Sequence, residues 1–215
     1  MKKILSFAII ALAVLTACGL HHEKPQELQT GDLLFQVGGN SKMNSAIASS
    51  TSGSAAIDTT FTHVGILLIE GDSTCVLEAA DGGVKITPIA DFINKSLMVD
   101  GKPVLVAKRV ADTSIIPAAI QRAKSFIGQP YDYYYLPDNG RMYCSELVYD
   151  SYLNADGKPV FSSKPMNFRA ADGSMPQFWT DLFKQLEMEV PEGVAGTNPM
   201  DMSRDSILTT VMRWQ

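Results

Sequence analysis

Histidine and cysteine are both scarce in this 215-residue sequence, three of each. Metal centres need imidazoles, thiolates or carboxylates at close spacing. His21 and His22 sit together near the N-terminus, His63 stands alone in the body, and Cys18, Cys75 and Cys144 are far apart, so no metal site is expected. The same thinness of cysteine gives no disulfide framework, and a bridge between Cys75 and Cys144 has no positive support. Positive charge is also short: 18 Lys and Arg stand against 23 Asp and Glu, a net charge of −5. No basic cluster forms, which excludes a phosphate-tracking surface and leaves no nucleic acid among the expected partners. Nucleotide-binding glycine motifs are missing, no cofactor is implied, and neither internal repeats nor low-complexity segments occur. No apolar run reaches the ~20 residues of a spanning helix.

What the chain does have begins at its N-terminus. Lys2 and Lys3 precede a nearly wholly apolar stretch from Ile4 to Leu15, followed by Leu15-Thr16-Ala17-Cys18. A charged n-region, a short apolar core and small residues before a cut site describe an export signal, and this ending resembles a bacterial lipobox. Residues 1–17 are therefore expected to be a lipoprotein signal peptide, Cys18 the lipid anchor, residues 18–29 a tether, and residues 30–215 a single domain. The expected location is the bacterial cell envelope, held to the membrane by the lipid on Cys18. An ordinary cleaved signal peptide with an incidental Cys18 is the alternative.

The body reads as α+β. Asp32 to Val37 forms a first strand ended by Gly38-Gly39-Asn40. A polar stretch from Ser41 to Thr60 follows, with room for a short helix over Met43 to Ala48 and otherwise the character of a functional loop. His63 to Glu70 and Thr74 to Ala79 are β-rich runs around Gly71-Asp72-Ser73, a hairpin signal. Val84 to Ile89 and Val104 to Val110 continue a succession of strands joined by short turns, which implies a mostly antiparallel sheet. Apolar periodicity from Ile115 to Ile127 predicts a helix, with Ser114 as N-cap and Gly128 as stop. A second helix should start at Cys144, behind the turn Pro137-Asp138-Asn139-Gly140, and a third should span Gln177 to Leu186 with the stripe Phe178, Trp179, Leu182, Phe183. Pro191 to Met202 reads as loop.

A thiol is a strong nucleophile as its thiolate, a form favoured by a helix N-terminus and a nearby imidazole. Cys144 opens a helical pattern and His63 is the lone body histidine, although a cysteine at a helix start is more often a small core residue. His63 heads an apolar strand, where a histidine satisfied by a backbone carbonyl is the plainer reading. The hairpin decides which carboxylate can reach it. If Glu70 and Ser73 flank a two-residue turn, Gly65 lies opposite Glu78, and Glu78 and His63 become diagonal neighbours on one face. Cys75 then points to the other face as a core residue. A three-residue loop would turn Glu78 away.

Three blocks, Gly31-Asp32-Leu33-Leu34-Phe35, Thr62-His63-Val64-Gly65-Ile66 and Tyr143-Cys144-Ser145-Glu146-Leu147-Val148, resemble the NlpC-type branch of the papain-like cysteine peptidases and amidases. The Cys block comes first in the usual members and last here, which resembles the circularly permuted, YiiX-like branch related to lecithin retinol acyltransferase-like proteins. That resemblance implies a permuted papain-like fold, an antiparallel sheet packed on helices including the one that starts at the cysteine. It also implies Cys144 as nucleophile and His63 as general base. Glu78 falls at the third polar position, where His, Asn or Gln is commoner. Gly128-Gln129-Pro130-Tyr131 resembles the Gly-x-Pro-Tyr segment of these enzymes, which would set Tyr131 beside the site as an oxyanion or substrate contact; the alternative is an ordinary buried tyrosine. Permuting the chain leaves such a constellation intact, because geometry defines it.

The expected function is thus an envelope cysteine hydrolase that cleaves an amide through a thioester, on cell-wall peptides. A lipid or N-acyl amide hydrolase or acyltransferase is the first alternative, with Met43, Ile47, Ile57 and the Phe178 to Phe183 stripe as an acyl pocket. A non-catalytic ligand-binding module is the second. A long apolar tunnel beside Cys144 would favour lipid, a polar groove peptide, and a sealed site binding alone.

Overall fold

A computed structural model describes residues 27–52 and 60–214. The export segment, Cys18 and most of the tether lie outside the described residues, as does Ile57. At the end of the expected tether, Leu28 already packs on the core and the Glu27 carbonyl accepts a hydrogen bond from Arg109 at 2.8 Å. Arg109 also clasps the buried Asp32 carboxylate through Nε at 2.7 Å and Nη2 at 2.9 Å, fixing the start of the first strand.

Alternation of apolar residues organises one six-stranded sheet. Its strands are β1 (Leu33–Gln36), β2 (His63–Glu70), β3 (Ser73–Ala80), β4 (Gly83–Pro88), β7 (Leu105–Val110) and β10 (Leu208–Arg213), in the spatial order β10-β7-β1-β2-β3-β4 with every pairing antiparallel. Because successive side chains point to opposite faces, β2 sends Val64, Ile66 and Leu68 to one core and Leu67 to the other. The larger core lies under α3 (Ile116–Ser125) and α4 (Cys144–Ser151), where Ala119, Ala123, Leu147, Val148 and Tyr152 are buried. The smaller one gathers Leu34, Leu67, Val76, Leu105, Ala107 and Val211 beneath Phe92 of α2 (Ile89–Asn94). Two short ribbons, β5 (Met98–Val99) with β6 (Lys102–Pro103) and β8 (Lys164–Pro165) with β9 (Ala195–Gly196), complete the strands.

The hairpin forms as its turn chemistry requires. Glu70 pairs with Ser73 across Gly71-Asp72, and Gly71 takes a positive φ of 58°, which glycine adopts without the Cβ penalty of other residues. The pairing runs to Ile66 and Leu77, and one step on a Cβ at Gly65 would stand 3.5 Å from Glu78 Cβ, as the two-residue turn predicts. Cys75, opposite Leu68, faces away from Glu78 but is half-buried at the strand's outer part, not a core residue, and both Cys75 and Cys144 are free thiols.

Several boundaries differ from the sequence reading. α1 runs Lys42–Thr51, longer than Met43 to Ala48, because the Ser41 side chain caps it by accepting the Asn44 N–H at 3.0 Å. The helix expected from Ile115 is not capped by Ser114: Asp112 accepts the Ser114 N–H at 3.0 Å, a 3-10 turn covers Thr113–Ile115, and Pro117 stands in the first turn of α3. α5 (Gln177–Gln185) agrees with expectation. The supposed loop from Pro191 to Met202 holds β9 and α6 (Pro199–Ser203), whose Asn198 cap accepts from Asp201 N–H at 2.8 Å. β10 has no counterpart in the sequence reading; its exposed positions blur the alternation.

Candidate active site

Two positive-φ residues, Asp138 (56°) and Gly140 (73°), reverse the chain ahead of α4. Met142 then bridges back to Tyr131, with Asp132 N–H bonded to the Met142 carbonyl at 3.0 Å and Met142 N–H to the Pro130 carbonyl at 3.1 Å. Cys144 follows as the first residue of α4, so its N–H has no intrahelical acceptor and its sulfur sits at the positive end of the helix. Tyr143 in extended conformation and Glu146, whose Oε2 accepts the Tyr143 N–H at 3.3 Å, secure this start. Thr197 stitches the same turn from outside: its N–H donates to the Tyr143 hydroxyl and its hydroxyl to Ser145 Oγ, both at 3.0 Å.

His63, the first residue of β2, stands at the end of the sheet, where the α4 and α2 sides meet. Its Nε2 lies 2.6 Å from Glu78 Oε2, and its ring packs on Phe92 with centroids 5.6 Å apart. Glu78 is fully buried, and its other oxygen accepts from Thr87 Oγ1 at 2.6 Å and Lys95 Nζ at 3.3 Å. With Nε2 committed, Nδ1 is the nitrogen left to face Cys144, which is within hydrogen-bonding reach of the ring. Burial disfavours the imidazolium, but hydrogen bonds and attraction from Cys144 and Glu78 outweigh it and push His63 up to about 10. Burial would likewise raise Glu78; its bonds to His63 and Thr87 and the charges of His63 and Lys95 prevail and hold it near 2. Gly65 lets Val76 and Phe92 pack close beside this pair: a Cβ there would overlap Val76, crowd Phe92 at 3.1 Å and stand at an ordinary 3.5 Å from Glu78 Cβ.

Tyr131 and Cys144 line one cleft of about 40 Å³, walled by Ile47, Tyr135, Phe168 and Trp179. Its wall is drawn from distant segments: Ser50 Oγ donates to the Phe168 carbonyl at 2.8 Å and accepts from Trp179 Nε1 at 3.2 Å. Of the aromatic stripe only Trp179 reaches this cleft, while Phe183 is core and Phe178 lies elsewhere. Met43 is not among its lining residues. Tyr135, Phe168 and Thr197 went unnoticed in the sequence, since each lies in irregular chain where no periodicity marks a face. A groove of about 360 Å³ and mixed polar and apolar lining adjoins the cleft through shared residues Thr51, Met166, Asn167, Thr197 and Asn198, and carries Lys164, Asp201 and Arg204 along its wall.

Among the described residues no group of three or more His, Cys, Asp and Glu side chains could hold a metal ion, and no helix is long and apolar enough to cross a membrane. Over residues 27–212 the chain matches a family described as permuted papain-like amidase enzymes, YaeF/YiiX, C92 family. It is similar to the uncharacterized protein YiiX of Escherichia coli strain K12, at 30% identity over 188 residues and 86% of each chain. Among solved structures it resembles the metalloprotein yiiX of Escherichia coli O157:H7, with a TM-score of 0.67 and 28% identity over 86% of this chain and 97% of that one. The metal in that title belongs to the relative, and the side chains described here do not assemble a site for one. An α+β antiparallel sheet with a cysteine-led helix late in the chain, joined to these matches, places the protein in the permuted papain-like amidase family, as an enzyme of that type.

Proposed function

We propose that this enzyme cleaves an amide in a peptide-type substrate, with Cys144 as nucleophile, His63 as its proton acceptor and Glu78 holding the imidazole. The observation that carries the reading is the position of His63, in reach of the thiol on one side and 2.6 Å from a fully buried carboxylate on the other. The thiolate formed by transfer to His63 adds to the carbonyl carbon, and the Cys144 N–H with Tyr131 stabilises the oxygen that takes the displaced electron pair. Collapse breaks the C–N bond, His63 returns the proton to the departing nitrogen, and water resolves the thioester.

Peptide rather than lipid is favoured by the shape of the site. The apolar cleft at the sulfur is small, and what adjoins it is a groove of mixed character with charged residues on its wall, not a long apolar tunnel. For location the proposal stays with export and a lipid on Cys18, supported by Leu15-Thr16-Ala17-Cys18; fatty-acid labelling that survives Cys18→Ala would remove it. The catalytic assignment is tested by Cys144→Ala, which is expected to abolish labelling by an acylating thiol probe. Labelling at the wild-type rate would end it.

A further inference from the structure

Tyr135 is placed at a cost in backbone conformation. It is a bulky residue with φ 53°, in the left-handed region that such side chains rarely adopt. Asp132 holds it there: the fully buried carboxylate accepts N–H groups from both neighbours, Tyr134 at 2.9 Å and Leu136 at 3.0 Å. Four rings then clamp the side chain, with centroids 5.3 Å away for Tyr143, 5.5 Å for Trp179, 5.8 Å for Phe168 and 6.5 Å for Phe183. The residue is 5% exposed and lines the cleft at Cys144.

Its hydroxyl, despite this, has no hydrogen-bond partner among the described residues. It neighbours the Tyr131 hydroxyl without closing a bond of ordinary geometry with it. Three other hydroxyls around the cleft are occupied: Tyr143 accepts from Thr197 N–H, Ser145 pairs with the Thr197 hydroxyl, and Ser50 bonds Phe168 and Trp179. Buried polar groups are nearly always satisfied, so a strained residue that lines the cleft at the nucleophile and carries an unbonded, buried hydroxyl calls for a ligand atom to complete it. Burial raises the Tyr135 pKa well above the usual phenol range, opposed by the neighbouring Tyr131 hydroxyl and aided by the negative charge that Cys144 can carry, so the hydroxyl keeps its proton and remains a donor.

We propose that Tyr135 is a further catalytic residue, whose hydroxyl donates to the oxygen of the substrate carbonyl as Cys144 attacks. The inference rests on Cys144 being the nucleophile. As the S–C bond forms, the carbonyl π pair moves onto oxygen, where the Tyr135 O–H meets it; when the C–N bond breaks the pair returns, and Tyr135 ends with the proton it began with.

Tyr135→Phe keeps the clamped ring and removes only the donor. The purified protein is treated in parallel with p-nitrophenyl acetate, whose attack passes through an oxyanion, and with iodoacetamide, whose displacement does not. Acylation is expected to slow by about 10²-fold, the scale of losing one oxyanion donor, with alkylation within twofold of wild type and a melting temperature unchanged or higher. Equal acylation rates in variant and wild type would overturn the proposal, as would a parallel fall in both reactions, which would mean that the change acts on the thiol itself. A wild-type protein that does not acylate would take the Cys144 assignment and this inference together, whereas acylation of both proteins at one rate removes the inference alone.

Discussion

The two flanks of Cys144 are built on opposite plans. On the imidazole side polar satisfaction is complete: each oxygen of Glu78 is engaged, by His63 or by Thr87 and Lys95. On the tyrosine side the walls are aromatic and one donor is left over. Charge that must stay fixed is locked by mutual bonds, while capacity reserved for a transient charge is left open, at a cost in stability. On the proposed roles, the bonded side holds its groups fixed and the unbonded hydroxyl of Tyr135 is the group that a substrate atom would complete.

Breaking the satisfied side should have the largest effect. His63→Ala is expected to lower kcat/KM for an amide substrate by about 10³-fold, within the range for losing a positioned base. Glu78→Gln retains a hydrogen-bond acceptor for the ring but removes its charge, so the loss should be smaller, roughly 10²-fold. The same variant sharpens the comparison through pH. Because His63 is raised from 6.5 to about 10, its stabilising contribution is complete below pH 6.5 and disappears as pH climbs through 10. Glu78, lowered from 4.5 to about 2, contributes fully above pH 4.5 and loses that contribution as pH falls through 2. The stability gap between wild type and Glu78→Gln should accordingly be widest between pH 4.5 and 6.5 and narrow on either side, as followed by urea denaturation; a gap independent of pH would contradict the ion pair.

Smaller effects come from the supports. Gly65→Ala forces a methyl group into Val76 and Phe92 beside Glu78, and should destabilise the fold by about 1–3 kcal/mol in chemical denaturation, with activity falling in step. Glu146, on the same helix as Cys144, is pushed up to about 8 by burial and by the negative charges of Asp132, Asp150 and Asp138, despite the bond from Tyr143 N–H. An acid raised in the folded state destabilises once it ionises, so the penalty grows between pH 4.5 and 8. Glu146→Gln should stabilise by on the order of 1 kcal/mol above pH 8 and leave stability unchanged below pH 4.5.

The parts legible in the sequence were those governed by local rules. A two-residue turn with glycine in first place set the β2–β3 register, and with it the shared face of His63 and Glu78, while helical periodicity placed the start of α4 at Cys144. Long-range assembly was not legible. Phe168, Trp179 and Thr197 reach the cleft through Ser50 and Tyr143, partners that no spacing along the chain connects. The Tyr135 conformation depends on an Asp132 that reads, in sequence, as one more polar residue in a tyrosine-rich loop. β10 and α6 were hidden by half-exposed positions and by proline and asparagine, which read as loop until a helix cap is seen.

The chain order of the site carries a consequence in time. Base and carboxylate sit together on an early hairpin, whereas the sulfur comes from a helix far downstream. Five of the six strands of the large sheet precede Cys144 in the chain, so on the proposed roles the imidazole and the acid are synthesised well before the sulfur they are to meet.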